Sequence, residues 1–423
     1  MKNANAEQSV RDFLIGLSAE RKMYFVGTTL KSPVSYRCGE KITFKIRLEY
    51  DGKPVNIPYV HYFAEGDDGS RNEGYVSAFD DGWFYIDTTL NRDGFVHVIA
   101  EACDENKCII EDADRFEGGA GADVDKIKCE TDIPEDYLEF WDKLKQEAFA
   151  IPKEIIFEEQ FETEPGFVAY DMRYKTTAGD FLSLTYTYPE NAQPGTLKLL
   201  SIYMGYGIAD ATPVCRDGYL VIRINTHDIY NRQPQQYYDE IGKGKFFRYG
   251  LNREENKLPE TTYWKKMFIR DMQAFNYFKN HPLVNGTDYE FEGGSQAAFR
   301  ACNMAAHTKA ATMVGLNVPW FCDIFAIQKQ KRINIAWRPM EDNGLRYFDT
   351  AVAAKYLECP VYIEAGLGDY ICPPSGQMAM YNGIKAPKKL VFIQNRTHSY
   401  TPQVMENTEL CDGYQFNDWS FFK

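Results

Sequence analysis

The first third of the chain repeats short runs in which apolar and polar residues alternate. Successive side chains of a strand point to opposite faces, so this period of two predicts strands with one buried face. Asp-Gly pairs between the runs are typical of hairpin turns. The clearest runs are residues 41–48, 82–87 and 94–100, and the Asp-Gly pairs are 51–52, 81–82 and 93–94. We therefore expect an antiparallel β-sandwich, followed by a linker in the glycine-rich stretch 117–123.

Beyond about residue 132 the pattern changes to strand-like runs that alternate with helical periodicity. Apolar residues at helical spacing predict helices at 134–144, capped by Thr131 or Asp132, and at 262–280. The strand-like runs are residues 166–174, 181–188, 197–203 and 219–224. This alternation indicates a mostly parallel sheet with helices on both faces.

Length and charge narrow the classes of protein. A chain of 423 residues exceeds one ordinary hydrophobic core, so we predict two domains. The first is an immunoglobulin-like all-β sandwich at residues 1–125, and the second is the α/β domain at residues 126–423. A net charge of −14, with no block rich in lysine and arginine, argues against nucleic acid as a partner.

Membrane insertion and metal binding are not predicted. No uninterrupted apolar stretch is as long as a membrane helix requires. Residues 1–8 carry no apolar signal core, which predicts a cytoplasmic protein as written. A periplasmic or secreted protein whose signal peptide had been removed would have the same sequence. The 10 cysteines and 6 histidines show no paired spacing of a zinc site, so we predict no metal.

Candidate chemistry begins at residues 293–297, Gly-Gly-Ser-Gln-Ala, where a strand-like run meets an alanine-rich helical stretch. A serine hydrolase places its nucleophile on such a strained strand-to-helix turn, which exposes the hydroxyl and frees the next N–H for an oxyanion. The second glycine of the usual motif is Ala297 here. Taken alone, Ser295 could equally be a small residue that opens a buried helix.

Two downstream residues supply the partners that a serine nucleophile needs. Asp369 follows the apolar run 360–363 and His398 follows the run 389–393, so each lies at the carboxyl end of a predicted parallel strand. Serine needs an imidazole to take its proton and a carboxylate to fix the tautomer of that imidazole. The order Ser, Asp, His is that of the α/β hydrolases. Although Asp369 could be a turn or cap residue and His398 a loop histidine, we predict a catalytic triad of Ser295, Asp369 and His398.

Several ordered segments carry a family resemblance. They are residues 134–141 (an opening helix), 205–207 (Gly-Tyr-Gly, an oxyanion loop), 293–296 (the serine turn), 317–323, 347–349 and 366–375. The last segment, which carries Asp369, is the most distinctive. In these segments the chain resembles the acetylxylan esterase and cephalosporin-C deacetylase family, carbohydrate esterase family seven, from about residue 132 to its end.

The resemblance implies an α/β-hydrolase fold and a serine esterase. Such an enzyme removes acetyl groups from small sugars and short xylo-oligosaccharides through an acyl-enzyme intermediate, with no metal or cofactor. It implies Ser295 as the nucleophile, His398 as the general base and acid, and Asp369 as its orienting partner. Backbone N–H groups of Gln296 and Tyr206 would form the oxyanion hole, where each preorganised donor contributes on the order of 3 kcal/mol.

Three more residues are candidates for the substrate site. Trp320 and Phe321 could line it, but a role in the core is an equal alternative. His227 follows a strand after the oxyanion loop, so it could line the acyl pocket or hold a loop. The partner is expected to be a small acetylated carbohydrate, and the protein could be a homo-oligomer.

The chain departs from the family pattern in several places. Ala297 replaces a glycine, Ser399 replaces a glutamate after the histidine, and Met204 replaces a histidine before the Gly-Tyr pair. Residues 225–229 stand where an Arg-Gly-Gln motif is expected. The added sandwich is the largest departure; it could bind carbohydrate, cover the active-site mouth, form a subunit contact or act as a spacer. Two alternative functions stay open, a serine peptidase of the same fold and a catalytically silent carbohydrate-binding relative.

Overall fold

The structure is a computed structural model, and it describes residues 23–177, 181–326, 329, 332 and 342–412. The strands are β1 Met23–Thr29, β2 Lys41–Tyr50, β3 Lys53–Pro54, β4 Tyr59–Gly66, β5 Arg71–Ser77, β6 Phe84–Thr89, β7 Gly94–Cys103, β8 Phe116–Ala122, β9 Ile155–Phe161, β10 Phe167–Lys175, β11 Phe181–Pro189, β12 Leu197–Tyr203, β13 Tyr219–Ile224, β14 Val284–Gly294, β15 Met313–Asn317, β16 Val361–Gly366, β17 Lys388–Ile393 and β18 Asn407–Cys411. The α-helices are α1 Tyr137–Ala150, α2 Gln235–Lys243, α3 Tyr263–Phe278, α4 Gln296–Thr308, α5 Thr350–Ala353 and α6 Pro374–Gly383. Short 3-10 helices lie at Val124–Lys126, Glu255–Lys257, Pro259–Thr261, Asn343–Tyr347 and Ala354–Tyr356.

The N-terminal region consists of two four-stranded antiparallel sheets. One contains β1, β2, β3 and β6, and the other has the order β5-β4-β7-β8. Buried side chains from both sheets, among them Phe44, Ile46, Val60 and Phe116, form one hydrophobic cluster. The predicted antiparallel strands are confirmed, and their arrangement as an immunoglobulin-like sandwich stays a prediction.

The linker predicted at 117–123 is wrong. Residues Phe116–Ala122 form the edge strand β8, and all of them are buried. The glycines of this strand provide space: a Cβ on Gly119 would lie 2.6 Å from the carbonyl oxygen of Leu367. Glycine supplies conformational freedom in turns and room where two backbones meet, and the composition alone does not separate these two uses.

A ten-stranded mixed sheet forms the centre of the rest of the chain, in the order β18-β17-β16-β15-β14-β12-β13-β11-β10-β9. The six strands from β17 to β13 in this order are parallel. The outer strand β18 on one side and β11, β10 and β9 on the other pair antiparallel. The predicted parallel pairing is therefore confirmed for the central strands, whereas the outer strands pair antiparallel. Because β14 to β17 are parallel neighbours, their carboxyl ends meet at one edge.

The helices pack through aromatic side chains. Trp141 of α1 contacts Phe268 of α3 with ring centroids 5.0 Å apart, and Phe268 contacts Phe299 of α4 at 5.3 Å. The predicted cap of the first helix is wrong: Asp136 occupies the cap position of α1, and Thr131 donates its hydroxyl to a buried carboxylate elsewhere. In the described ranges, no helix is long and apolar enough to cross a bilayer.

Candidate active site

Ser295 occupies the sharp turn between β14 and α4. Its backbone has φ 56° and ψ −120°, a sparsely populated region that costs a non-glycine residue on the order of 1–3 kcal/mol. Three backbone hydrogen bonds hold the turn: the N–H of Ser295 donates to Asn317 at 2.9 Å, and its carbonyl accepts from Phe299 at 3.1 Å and Trp320 at 3.3 Å. A strained turn between a strand and a helix is the backbone geometry that the motif at 293–297 predicts.

Ala297 fits the turn because Gly293 has no side chain. A Cβ on Gly293 would lie 2.4 Å from the carbonyl carbon of Ala297 and 2.6 Å from its Cβ. The space that a second glycine would leave free is therefore filled here by one methyl group. This departure from the family pattern is a change of packing between β14 and α4.

Asp369 and His398 are in direct contact. Asp369 lies in the loop after β16, fully buried, and its Oδ2 accepts a hydrogen bond from Nδ1 of His398 at 2.9 Å. The other oxygen, Oδ1, accepts from the N–H groups of Ile371 at 3.0 Å and Cys372 at 2.9 Å. His398, in the loop after β17, keeps 20% of its side chain exposed. The carboxylate is thus fixed from both sides, while the imidazole reaches the surface.

The acid loop and the histidine loop are joined through Arg396. Its carbonyl accepts from the N–H of Gly368 at 3.0 Å, and its guanidinium donates to Oδ1 of Asn317 at 2.8 Å. The guanidinium also forms an ion pair with Glu364 at the end of β16. These contacts tie the loop of His398 to the ends of β15 and β16.

The hydroxyl of Ser295 lies near the thiol of Cys372. Between Ser295 and His398, both of which the structure describes, there is no direct hydrogen bond. Ligand atoms of Cys372, Asp369 and His398 lie within 4.8 Å of one another, as a metal site would require. However, both oxygens of Asp369 already accept hydrogen bonds, and burial raises the pKa of the Cys372 thiol. This donor set therefore fits a hydrogen-bonded relay better than a metal centre.

The Gly-Tyr-Gly loop at 205–207 lies against the serine turn. Gln296 donates from its side-chain amide to the carbonyl of Gly205 at 3.3 Å. Tyr249 accepts from the N–H of Gly207 at 3.1 Å and donates its hydroxyl to Oε1 of Gln296 at 3.0 Å. The rings of Tyr206 and Tyr249 stack with centroids 4.4 Å apart. The two predicted oxyanion residues are thus joined by one hydrogen-bond network.

His227 lies behind the same loop and is fully buried. Its Nε2–H donates to the carbonyl of Gly207 at 3.1 Å, so Nδ1 accepts from the hydroxyl of Tyr263 at 2.5 Å. Burial holds the pKa of His227 well below the usual range, which keeps the ring neutral in this tautomer. The structure places it as a support of the loop, and its predicted contact with substrate stays a prediction.

Trp320 and Phe321 pack in the aromatic core. Both side chains are 3% exposed. The ring of Trp320 contacts Phe299 and Trp264 with centroids 5.8 and 5.6 Å apart, and Phe321 contacts the same two rings. Their predicted place in a substrate site stays a prediction, and their observed contacts lie beneath the serine turn.

Two residues at this site, Tyr249 and Arg300, were missed by the sequence analysis. Tyr249 lies in an irregular segment with no periodicity. Arg300 is a fully buried cation on α4; it pairs with Asp271 and donates to the carbonyl of Met204 at 3.2 Å and the hydroxyl of Thr226 at 2.9 Å. It therefore ties together the ends of β12 and β13, where the Arg-Gly-Gln motif is missing. A buried arginine on an alanine-rich helix is an unusual feature that could have pointed to this network.

Comparisons with known proteins find relatives among esterases. The model of the Acetyl xylan esterase (AXE1) family matches residues 122–412. Acetyl esterase Axe7A of Xylanibacter ruminicola is 21% identical in an alignment of 384 residues, which covers 87% of this chain and 85% of that protein. Residues 122–423 are a smaller share of the chain than the 87% that is aligned, so the aligned region also includes part of the N-terminal sheets.

Two solved structures share the fold. Acetyl Xylan Esterase 1 from Thermoanaerobacterium aligns with a TM-score of 0.55 and 18% identity, over 66% of this chain and 93% of that one. An acetyl xylan esterase from Paenibacillus aligns with a TM-score of 0.51 and 18% identity, over 66% of this chain and 94% of that one. The family region accounts for most of the chain, and the structural likeness supports the α/β-hydrolase fold. The chain therefore belongs to the acetyl xylan esterase family and is a carboxylic ester hydrolase.

Proposed function

We propose that the chain is a serine esterase that removes acetyl groups from small acetylated carbohydrates, such as xylo-oligosaccharides, through an acyl-enzyme intermediate. The observation that carries this proposal is the hydrogen bond between the buried Asp369 and His398, next to Ser295 on its strained turn. Family membership supports the acetyl ester, and the names of the related esterases support xylan-derived sugars.

In the proposed first step, Ser295 attacks the acetyl carbonyl. Asp369 accepts the Nδ1–H of His398, so Nε2 is the basic nitrogen. The serine hydroxyl donates to His398, and its proton passes to Nε2 as the C–O bond forms. Catalytic hydrogen bonds are often long without substrate and tighten when it binds.

The negative oxygen of the tetrahedral intermediate would accept hydrogen bonds from the backbone N–H groups of Gln296 and Tyr206. Gln296 is the first residue of α4, where the helix dipole also favours negative charge. Tyr206 lies in the loop that Tyr249 and the Gln296 side chain tie to the serine turn. Donors held in place in this way need no reorganisation during the reaction.

The second half of the reaction returns the proton. A sugar alkoxide is a poor leaving group, so the imidazolium of His398 protonates the sugar oxygen as its bond to the acetyl carbon breaks. The acetyl group remains on Ser295 as an ester. Water, deprotonated by His398, then attacks this ester, releases acetate and restores the serine hydroxyl.

We further propose the domain division of this enzyme: residues 1–125 as an immunoglobulin-like β-sandwich accessory domain and 126–423 as the catalytic domain. The separate hydrophobic cluster of the N-terminal sheets and the start of the family region at residue 122 support it. Parts of both predicted domains, residues 1–22 and 413–423 among them, lie outside the described residues.

The test combines acetate release with active-site labelling. Hydrolysis of p-nitrophenyl acetate and of acetylated xylo-oligosaccharides is measured for the wild type, Ser295→Ala and Ser201→Ala. Ser201 is a buried serine on the neighbouring strand β12 whose hydroxyl has no partner in the described part of the structure, so it is a matched control. A fluorophosphonate probe reports the reactive serine directly.

We expect the wild type and Ser201→Ala to release acetate and to be labelled, and Ser295→Ala to do neither. Equal hydrolysis by Ser295→Ala would overturn the assignment of the nucleophile. Cleavage of dipeptide amides without release of acetate would favour a serine peptidase, and glycan binding without labelling would favour a silent relative.

A further inference from the structure

The edge strand β8 of the N-terminal sheets lies against the histidine loop. The side-chain amide of Gln394 donates to the carbonyl of Gly119 at 3.0 Å and accepts from its N–H at 2.9 Å. Asn395 accepts from the N–H of Glu117 at 2.8 Å and donates to the carbonyl of Phe25 at 3.2 Å. Two consecutive side-chain amides therefore pair with the outer backbone groups of β8, as a neighbouring strand would. They stand three and four positions before His398.

The acid loop touches the same strand through its backbone. A Cβ on Gly368 would lie 1.9 Å from the carbonyl oxygen of Glu117, and one on Gly119 would lie 2.6 Å from the carbonyl oxygen of Leu367. Neither position has room for a side chain. Gly368 is the residue directly before Asp369, so β8 is the surface on which the acid loop rests.

A ring stack covers the residue on the other side of the acid. His97, on β7, stacks on Tyr370 with ring centroids 3.7 Å apart and an angle of 22° between the planes. Nε2 of His97 lies 3.0 Å from Oε1 of Glu117, and both side chains are nearly buried. The N-terminal sheets thus contact the residues before and after Asp369.

We propose that the N-terminal sheets are a structural part of the active site, in which β8, His97 and Gln394 hold the loops of Asp369 and His398 in register. His97, Glu117 and Gly119 precede the family region, which begins at residue 122. A spacer or an independent binding module would meet the catalytic domain away from these loops. Here the loops of Asp369 and His398 both pack against β8.

His97 and Gln394 are therefore positioning residues for the reaction proposed above, on which this inference rests. Their loss leaves Ser295, Asp369 and His398 in the chain but releases the loops that align them. A misplacement of about 1 Å in a catalytic group can lower the rate about 100-fold. Neither substitution changes a residue of the proposed acyl site. The loss of activity is therefore expected in kcat and in the labelling rate of Ser295, with KM unchanged.

The experiment uses the full chain with three test variants and one control. His97→Ala removes the stack and the contact with Glu117, His97→Phe keeps the stack, and Gln394→Leu removes both bonds to Gly119. His61→Ala is the matched control. His61 on β4 also packs against a tyrosine ring, Tyr75, and lies near two glutamates, but among the described residues it makes no hydrogen bond or ring contact with the loops of Asp369 and His398. Active sites are counted by fluorophosphonate labelling, so that kcat refers to folded enzyme.

We expect His97→Ala and Gln394→Leu to lower kcat on p-nitrophenyl acetate between about 10-fold and 100-fold, with KM within about twofold of the wild type. His97→Phe should recover most of the loss, and His61→Ala should match the wild type. Wild-type kcat per labelled site in His97→Ala and Gln394→Leu would overturn the inference, as would a loss in His97→Phe equal to that in His97→Ala. Retained activity in Ser295→Ala, by contrast, would refute the proposed function.

Discussion

The oxyanion loop allows a sharp test, because one oxygen, the hydroxyl of Tyr249, makes two of the hydrogen bonds that tie the loop to the serine turn; the bond from Gln296 to Gly205 does not involve it. The hydroxyl of Tyr249 accepts from the N–H of Gly207 and donates to Oε1 of Gln296, at 3.1 and 3.0 Å. Tyr249→Phe removes this oxygen and keeps the ring that stacks on Tyr206. The change therefore separates the hydrogen bonds of the network from its packing.

The magnitude follows from what is left unpaired. The part-buried N–H of Gly207 and the buried Oε1 of Gln296 lose their partner, and an unpaired buried group costs about 1–3 kcal/mol. We expect the free energy of unfolding to fall by about 2 kcal/mol, since part of the loss is relieved by local rearrangement. Complete removal of an oxyanion donor costs about 2.7–4 kcal/mol of transition-state stabilisation. A loosened donor at Tyr206 should lose part of this, about 1.5–2.3 kcal/mol, so kcat falls about 10-fold to 50-fold.

The assay is steady-state hydrolysis of p-nitrophenyl acetate, with denaturant unfolding of the same samples. Tyr174→Phe is the control: its hydroxyl is buried on β10 and has no hydrogen-bond partner in the described part of the chain. We expect a lower kcat and an unchanged KM for Tyr249→Phe, and wild-type kinetics for the control. A kcat within twofold of the wild type in folded Tyr249→Phe, or a higher KM at unchanged kcat, would refute the reasoning.

Three further changes test the serine turn, the acid and the charge beneath the turn. Gly293→Ala places a methyl group against Ala297, and denaturant titration should show a free energy of unfolding lower by about 1–3 kcal/mol. Gly294→Ala is the control, because its Cβ would meet nothing nearer than 3.7 Å, and it should lower the free energy of unfolding by less. Equal losses in the two variants would contradict this packing argument. Asp369→Asn keeps the size of the side chain but favours the wrong imidazole tautomer, so kcat should fall by about 10⁴-fold without loss of fold, and a fall below tenfold would remove the orienting role. Burial raises the pKa of Glu292 to about 7. The folded protein therefore keeps this carboxyl protonated at pH values where the unfolded chain has already released the proton. Protonated Glu292 stabilises the folded state at low pH, and this stabilisation is lost as the pH rises through about 7. Glu292→Gln should therefore gain about 2 kcal/mol relative to the wild type between pH 5 and pH 8; a constant difference in unfolding free energy across that range would contradict it.

The positions of the candidate catalytic side chains follow from local pattern. Strands β12 and β13 begin and end where the apolar runs at 197–203 and 219–224 predict. Asp369 and His398 each follow such a run, and parallel strands bring their carboxyl ends to one edge, so their contact at 2.9 Å follows from order along the chain. A strand can be predicted from the sequence because its periodicity and its apolar surface are properties of neighbouring residues along the chain.

Local sequence pattern predicts less about the packing and the hydrogen bonds around these side chains. The glycines of β8 are the same in composition as those of a linker, and only the approach of Leu367 and Gly368 shows that they make room for a second backbone. Tyr249 gives no periodic signal, yet its hydroxyl joins the two sides of the oxyanion loop.

Sequence thus specified many of the strands, the helices that begin near residues 137, 263 and 296, the strand-to-helix turn at Ser295 and the order of Asp369 and His398. The folded chain decided which segments meet: Tyr249 with Gln296, Arg300 with the strand ends, and β8 with both catalytic loops. The physical reason is that hydrogen bonds and close packing between distant segments depend on where the whole chain brings them. A residue that makes such contacts has no fixed spacing to its partner, so no periodicity records it.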